Sequence, residues 1–262
     1  MTRLEQIAFL NQILLEEMPQ YRQQAAQFPP EENQQRRLLR SLMNLRPPVP
    51  LKAEFLSVQD ALLSAEREEK GVVDADALPA TADPRIILWQ GDITRLAADA
   101  IVDADNSALL GCFCPCHGCI DNAIHSAAGL QLRDECNRLM QTQGHAEPTG
   151  QAKITAGYNL PCHYVLHTVG PIVHGALTPK HREELSSCYR SCLELAAEKQ
   201  LHSVAFCCIS TGEFHFPGQE AAQIAVATVK EFLSRDGSGM KVIFNVFKDM
   251  DYQIYHELLF TD

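Results

Sequence analysis

The residues with the clearest potential for chemistry lie in one short segment crowded with cysteines. Cys112, Cys114, Cys116 and Cys119 fall within eight residues, and His117 stands among them. Thiolate and imidazole groups are the ligands that zinc prefers in proteins. His117 with two cysteines would leave a fourth position open, which suits a catalytic zinc ion, whereas four cysteines and the histidine could instead close a structural site. Free thiols without a metal are the remaining alternative.

A carboxylate follows this segment at once. Asp121 lies two residues after Cys119, at the start of a predicted helix that includes His125. Beside a metal, a carboxylate at a helix N-terminus could orient a water molecule or stabilise positive charge on a sugar carbon. Asp121 could equally be a first-turn acid that the helix dipole favours. The spacing leaves both interpretations open.

Apolar runs and helical periodicity predict the elements that position these residues. Strands are expected at residues 86–89, 100–102, 153–155, 164–166, 204–209 and 241–246, and helices at 120–141 with a break at Gly129, 183–199, 220–233 and 252–259. This alternation predicts an α/β layered domain with a mostly parallel sheet. In such sheets, ligands bind outside the carboxyl ends of the strands.

Polar loops follow several of the predicted strands, at the edge where a ligand is expected. In Gly91-Asp92-Ile93-Thr94, the carboxylate could accept a hydrogen bond from an exocyclic amine such as that of adenine, or it could cap the following turn. In Asp103-Ala104-Asp105-Asn106-Ser107, an amide could bind a ribose hydroxyl, although Asn and Asp also favour turns. Both loops are therefore candidates for nucleotide contacts.

Two later loops have the same placement. Ser210-Thr211-Gly212 follows a buried strand, and its hydroxyls and glycine would let backbone N–H groups approach a pyrophosphate closely. A lone loop of this kind is weak evidence for a phosphate site. Phe247 follows the last strand and could stack on a base, or it could be an apolar lid or core residue.

The first part of the chain shows helical patterns only. Leu4, Ile7, Leu10, Ile13 and Leu14 recur at helical spacing, residues 29–32 predict a helix start, and prolines at 47, 48 and 50 predict its end. Residues 57–60 resemble a capping box that opens another helix, through about residue 70. We divide the chain into a helical extension, residues 1–80, and a second domain, residues 81–262. We expect the extension to pack on the core and to help shape substrate access.

The composition excludes several classes of protein. A formal net charge of −11 disfavours a general nucleic-acid binder, but not a small anionic ligand held by backbone N–H groups. No apolar run approaches the ~20 residues that span a bilayer, and the N-terminus lacks an apolar signal core. The ten cysteines are unevenly spaced, which indicates metal binding in a reducing compartment rather than a disulfide framework. We expect a soluble, cytoplasmic protein without nucleic-acid or membrane partners.

Five ordered motifs between about Arg85 and Leu259 together resemble a macrodomain. They are Gly91-Asp92-Ile93-Thr94, residues 100–107, residues 124–129, residues 150–171, and Ile209-Ser210-Thr211-Gly212. The resemblance implies a three-layer α/β macrodomain with a mixed, mostly parallel central sheet, preceded here by the helical extension. Most hydrolytic macrodomains have a glycine run where this chain has its cysteines. The pattern Cys112-x4-His117-x-Cys119 resembles instead the zinc ligands of a microbial zinc-dependent branch, often encoded beside sirtuin-type ADP-ribosyltransferases.

The resemblance also implies roles for individual residues. Asp92 would contact the adenine amine with Ile93 beside it, and Phe247 would lie by the adenine. Asn106 would contact the distal ribose near the scissile bond, and Asp121 would lie close to that ribose. The diphosphate would be wrapped by Ser210, Thr211, Gly212, Glu213 and Phe214. Zinc would be bound by Cys112, His117 and Cys119, with Cys114 and Cys116 as bystanders.

One position departs from the family pattern. The family usually has Asn-Ala-Ala-Asn before the serine, whereas this chain has Asp103-Ala104-Asp105-Asn106. An acid replaces the first amide, and its charge would be unfavourable near a phosphate unless the side chain is turned away. This departure argues against a direct role of Asp103 in ligand binding.

The function implied by the resemblance is the zinc-dependent hydrolysis that releases mono-ADP-ribose from a protein side chain, where it is linked as an ester to Asp or Glu. Asn106 and Asp121 would be the catalytic residues, and Zn²⁺ would be the cofactor. The partners would be ADP-ribose and an ADP-ribosylated protein, with a lipoyl-carrier protein suggested by the family's usual neighbourhood, and the chain would act as a monomer. The main alternative is a non-catalytic ADP-ribose reader. A structural zinc protein whose loops bind another nucleotide is a third.

Overall fold

Two clusters of buried apolar side chains organise the computed structural model, which describes residues 1–260. One cluster lies among the N-terminal helices, which are α1 (Arg3–Glu17), α2 (Arg22–Ala25), α3 (Glu32–Leu45) and α4 (Ala53–Lys70). Thr2 and Glu5 form a capping box at the start of α1. The helix α3 ends before Pro47, which cannot donate a backbone hydrogen bond.

The start predicted for the last of these helices is wrong. Residues 57–60 do not form a capping box, because α4 already begins at Ala53 with Lys52 as its N-cap residue. Phe55 is buried in the helical cluster. Burial of the Phe55 side chain stabilises a helix that extends back to Ala53, although the local capping signal comes one turn later.

The second cluster surrounds a six-stranded sheet. The strands of the chain are β1 (Val73–Asp74), β2 (Ile86–Gln90), β3 (Leu96–Ala97), β4 (Ala100–Asp105), β5 (Ala152–Ala156), β6 (Tyr164–Val169), β7 (Ser203–Phe206) and β8 (Lys241–Val246). The main sheet has the order β2-β8-β7-β4-β6-β5 and is parallel except for the antiparallel pair β5–β6. The strands β1 and β3 form a separate parallel pair. The predicted α/β architecture with a mixed, mostly parallel sheet is confirmed.

The remaining helices are α5 (Ile120–Ala128), α6 (Leu130–Gln143), α7 (Pro179–Glu198), α8 (Gly218–Arg235) and α9 (Asp249–Phe260). The predicted break at Gly129 separates α5 from α6, and its φ of +96° favours glycine. The helix α7 begins before the predicted Glu183, because Thr178 caps it and Pro179 occupies its first position. Within residues 1–260, no helix is long and apolar enough to cross a membrane.

The central strands explain the apolar runs of the sequence. All four residues of β7 are buried, as expected for a parallel strand covered on both faces. This strand ends at Phe206 rather than at the predicted Ile209, because the chain turns there toward Ser210, whose φ is +64°. The division of the chain near residue 80 stays a prediction. Ala75 already belongs to the sheet cluster, and Leu130 of α6 belongs to the helical cluster.

Candidate metal centre and ligand cavity

A cavity of about 670 Å³ opens at the carboxyl ends of β2, β4, β7 and β8. Its size lies in the range typical of small-molecule sites. Every residue that the sequence predicted for the site lines this cavity: Asp92, Ile93, Asn106, Cys112, His117, Cys119, Asp121, Ser210, Thr211, Gly212, Glu213, Phe214 and Phe247. The structure therefore brings together side chains that lie more than 150 positions apart in the sequence.

The three predicted metal ligands lie together in one wall of the cavity. One ligand atom each from Cys112, His117 and Cys119 can be chosen so that all three lie within 4.8 Å of one another. Burial raises the pKa of Cys119 to about 12, and the neighbouring Cys112 sulfur adds to this shift. The ring atom Nδ1 of His117 is buried without a hydrogen-bond partner within residues 1–260. Two adjacent sulfurs and an unpartnered imidazole nitrogen fit a zinc ion, which stabilises thiolates and accepts this ligand set.

The other two cysteines of the segment lie outside this group. Cys114 is exposed. The Cys116 sulfur lies 3.3 Å from the Ser41 hydroxyl and 3.6 Å from the carbonyl oxygen of Arg37, both on α3. Cys116 also has a φ of +52°, so this residue forms the turn that reverses the loop.

The helix α3 braces the metal-binding loop from outside. The backbone N–H of Cys116 donates to Asn44 Oδ1 at 2.9 Å. Arg40 donates to Asn122 Oδ1 at 2.7 Å, and the Asn122 side-chain amide donates to the Cys114 carbonyl at 3.0 Å. Arg40 also reaches the His117 carbonyl at 3.4 Å. The conformation of the loop therefore depends on contacts with the N-terminal helices.

Arg133 on α6 makes a second link between the N-terminal helices and this loop. Its guanidinium donates to the carbonyl oxygens of Met43, Asn44 and Arg46 at 2.6–2.9 Å, and to that of Leu110 at 2.6 Å. Burial lowers the pKa of Arg133 to about 10. The Nε atom donates to Leu110 and the Nη1 atom to the other three carbonyl oxygens. Because Arg133 holds backbone groups and does not line the cavity, it is a structural cation.

Asp121 and Asn106 meet beside the metal-binding loop. Asn106 Nδ2 lies 3.4 Å from Asp121 Oδ2 and 3.4 Å from the carbonyl oxygen of Gly111. Burial and the charge of Asp105 raise the pKa of Asp121 well above its usual range. Because Asp121 is in the first turn of α5 and also lines the cavity, both interpretations of this residue are compatible with the structure.

The loop after β7 offers backbone donors to the cavity. Phe216 N–H donates to the Ser210 carbonyl at 2.9 Å and closes the loop on itself. Within residues 1–260, the N–H groups of Gly212, Glu213 and Phe214 donate to no protein acceptor. Consecutive free N–H groups in such a turn can bind an anion.

Asp92, Ile93 and Phe247 also line the cavity. Asp92 Oδ1 accepts hydrogen bonds from Thr94 N and Thr94 Oγ1 at 3.0 and 2.7 Å, so Asp92 caps its turn as well as lining the cavity. Ile93 is buried. Phe247 is 74% exposed, which excludes a core role and leaves its ring free to cover a ligand.

Beneath the cavity lies a cluster that sequence reasoning did not identify, the buried floor formed by Asp103, Asp105, His125 and His167. His167 Nδ1 lies 2.7 Å from Asp105 Oδ2, and His167 Nε2 lies 2.8 Å from Thr155 Oγ1. Asp103 is fully buried and does not line the cavity. The carboxyl group of this acid is therefore not at the cavity surface.

The floor has unusual electrostatics. Burial and the charges of Asp105 and Asp121 raise the pKa of Asp103 well above its usual range. Burial, together with the charge of His167, lowers the pKa of His125 well below its usual range. Burial acts to lower the pKa of His167, but the neighbouring Cys136 and Asp105 raise it more, so the pKa of His167 lies well above its usual range.

A signal for the floor was present in the sequence. Asp103 and Asp105 are two residues apart on a strand and so point to one face, and Asp121 and His125 are four apart on a helix. The strand face and the helix face meet only because α5 packs on β4, and local sequence patterns do not encode this packing. Gly111 covers His125, since a Cβ at Gly111 would lie 2.9 Å from the His125 ring.

Comparison with known proteins agrees with this architecture. The family model described as Macro domain matches residues 102–225. A Protein-ADP-ribose hydrolase of Treponema medium is 51% identical over 262 residues, covering 99% of this chain and 100% of the relative. A protein of the same name from Staphylococcus aureus is 49% identical, covering 86% of this chain and 85% of the relative.

Solved structures give the same result. The Trypanosoma brucei macrodomain in complex with ADP-ribose has a TM-score of 0.65 and 31% identity, covering 83% of this chain and 94% of that one. The Oceanobacillus iheyensis macrodomain with ADP has a TM-score of 0.60 and 40% identity, covering 66% and 88%. With a relative matched along its whole length at about half identity, a family-model match and a similar fold in solved macrodomains, the chain belongs to the macro domain family.

Proposed function

We propose that this chain is a zinc-dependent hydrolase that releases ADP-ribose from a modified protein side chain. The observation that carries the proposal is the position of the Cys112, His117 and Cys119 group, in the same cavity as Asn106, Asp121 and the free N–H groups of the loop after β7. The names of the relatives from Treponema medium and Staphylococcus aureus support ADP-ribosyl hydrolysis.

The side chains of the cavity suggest how an ADP-ribosyl group would lie. The diphosphate would accept hydrogen bonds from the N–H groups of Gly212, Glu213 and Phe214. The adenine would lie between Phe247 and Asp92, whose carboxylate would accept from the exocyclic amine. These contacts would hold the distal ribose against Asn106 and Asp121, which line the same cavity. Positioning of this kind removes much of the entropic barrier to hydrolysis.

Asn106 and Asp121 would act directly on the distal ribose. The amide of Asn106 can donate to a ribose hydroxyl, and the Asp121 carboxyl group can hold that ribose or an attacking water molecule in place. Zinc held by Cys112, His117 and Cys119 would supply Lewis acidity and positive charge beside the scissile bond. The metal and the two side chains would thus act on the same end of the ligand.

The substrate in this proposal is an ester of ADP-ribose with Asp or Glu, and a modified lipoyl-carrier protein is the candidate target. Such a carrier would approach the distal-ribose end of the cavity, beside the metal-binding loop. We place the reaction in the cytoplasm, since the ten cysteines are all free and three of them would have to stay reduced to bind zinc.

The test compares native protein, protein treated with a chelator, and the Cys119→Ala variant on a carrier protein ADP-ribosylated at an acidic residue. Loss of zinc should slow ADP-ribose release by on the order of 100-fold or more, because a Lewis acid contributes several kcal/mol to such reactions. Release is measured by chromatography of free ADP-ribose over time.

The matched control is Cys114→Ala, which removes an exposed thiol of the same loop and should leave both zinc content and rate unchanged. Equal rates for native, chelated and Cys119→Ala protein would show that the zinc role is wrong. Calorimetric binding of ADP-ribose without turnover of any modified protein would instead identify the chain as an ADP-ribose reader.

A further inference from the structure

The buried floor below the cavity contains groups that the proposed hydrolysis does not use. Asp103, Asp105 and His125 are at most 5% exposed, and they come from β4 and α5. The ring atom Nε2 of His125 lies 4.0 Å from Asp103 Oδ2 and 4.0 Å from Asp105 Oδ1. It also lies 3.6 Å from Asp121 Oδ1, on the cavity side. Three carboxylate oxygens thus surround one imidazole nitrogen.

These facing atoms have no partners among residues 1–260. Both carboxyl oxygens of Asp103, Oδ1 of Asp105, and both ring nitrogens of His125 are buried and make no hydrogen bond. Burying even one polar group without a partner costs free energy, and burying adjacent carboxylates costs much more. A cation that binds oxygen and nitrogen together would satisfy these atoms at once.

Within residues 1–260, neither Arg133 nor His167 makes a hydrogen bond to these unpartnered atoms. The guanidinium of Arg133 donates to the backbone carbonyls of Met43, Asn44, Arg46 and Leu110. Both ring nitrogens of His167 are already engaged, Nδ1 with Asp105 Oδ2 and Nε2 with Thr155 Oγ1. Its contact with Asp105 leaves Oδ1, the oxygen that faces His125, without a partner.

We propose that Asp103, Asp105 and His125 form a second metal site, distinct from the cysteine–histidine group, for a divalent transition-metal ion such as Mn²⁺. A set of two carboxylates and one imidazole suits manganese and similar ions, whereas two thiolates and an imidazole suit zinc. His167 would orient Asp105 from the second coordination shell, as partners of ligating carboxylates commonly do. Asp105 and Asp121 line the cavity, which gives the ion a path to the site.

The two sites can be distinguished because their ligands differ in softness. Mn²⁺ is added to the zinc-loaded full chain, and the loss of the free Mn²⁺ signal is followed by electron paramagnetic resonance. We expect the wild type to bind one Mn²⁺ per chain, and Asp103→Asn to bind it at least tenfold more weakly. Cys119→Ala should keep the Mn²⁺ site, and Asp76→Asn, which changes an exposed acid, should behave as the wild type.

A second measurement guards against misfolding of the variant. In chelator-treated protein, Asp103→Asn should unfold cooperatively near the melting temperature of the wild type, because the amide has nearly the same size and shape as the carboxyl group. Added Mn²⁺ should raise the melting temperature of the wild type and leave that of Asp103→Asn unchanged. Equal Mn²⁺ binding by wild type and Asp103→Asn, or binding by neither, would overturn the proposal. It does not depend on the proposed hydrolysis, since neither measurement uses activity.

Discussion

Residues 1–260 contain two separate regions of potential metal ligands, the cysteine–histidine loop and the buried floor, and they are built in opposite ways. Cys112, His117 and Cys119 lie within eight residues of one loop and are only half-buried. The buried floor combines residues of β4, α5 and β6, and its first and last members, Asp103 and His167, are 64 positions apart in the sequence. All four residues of the floor are buried. A loop site can be recognised from spacing, whereas a site between elements exists only after they pack.

The two clusters also differ in what holds them in place. The loop carries little apolar surface of its own and relies on hydrogen bonds from α3 and α6, through Arg40, Asn44 and Arg133. The floor is held by the sheet register, which pairs Asp103 with His167, and by the packing of α5 on β4. We therefore expect changes in the N-terminal helices to affect the loop, and changes around His167 to affect the floor.

Asp121 lies between the two clusters and gives the largest expected effect. Its Oδ2 faces Asn106, and its Oδ1 faces His125. Asp121→Asn should lower kcat for ADP-ribose release by on the order of 1,000-fold, as for other groups that position a reacting water or sugar. Zinc content, measured by mass spectrometry, should not change. A variant that lost both zinc and activity would assign Asp121 to the loop cluster instead.

Arg133→Met should destabilise the connection between the N-terminal helices and the loop. The change leaves three buried carbonyl oxygens and one half-buried one without this donor, so we expect a loss of about 3 kcal/mol in the free energy of unfolding. Denaturant unfolding measures it. The control is Arg138→Met on the same helix, an exposed arginine paired only with Asp134, which should cost little. Equal stability of the two variants would contradict the role of Arg133.

Asn44→Ala should weaken zinc binding without unfolding the chain. Its side chain accepts the Cys116 N–H, so its loss should loosen the loop and lower zinc affinity about tenfold, as outer-shell changes do. Competition with a coloured chelator measures the affinity. Asn33→Ala, at an exposed position of the same helix, is the matched control. Unchanged affinity in Asn44→Ala would show that the loop holds its shape alone.

Thr155→Val tests the floor by itself and gives the smallest effect. It removes the hydroxyl beside His167 Nε2 and leaves that buried nitrogen with only the Cys136 sulfur, 3.8 Å away, at a cost of about 1–2 kcal/mol in unfolding free energy. Zinc affinity of the loop should be unchanged. Thr142→Val, at an exposed helix position, should be neutral. A loss of zinc in Thr155→Val would mean that the two clusters are coupled.

Much of the fold could be predicted from local patterns. The apolar runs located the six strands of the main sheet, and Gly129 marked the break between α5 and α6. Errors arose at boundaries, where burial competes with local signals. Phe55 lies in a helix that starts before its predicted cap, and Cys207 lies beyond the last residue of β7, although its side chain remains buried.

The sequence by itself determined which residues could bind a metal or a nucleotide, because ligand chemistry belongs to residue type and the loops follow strands whose apolar patterns are local. It also determined the α/β class, since periodicity distinguishes strand from helix. Only the tertiary structure decided that α3 and α6 hold the cysteine loop, and that Asp103 and Asp105 face His125 in a buried floor. These contacts join residues far apart in the chain, so they depend on how whole elements pack rather than on any local pattern.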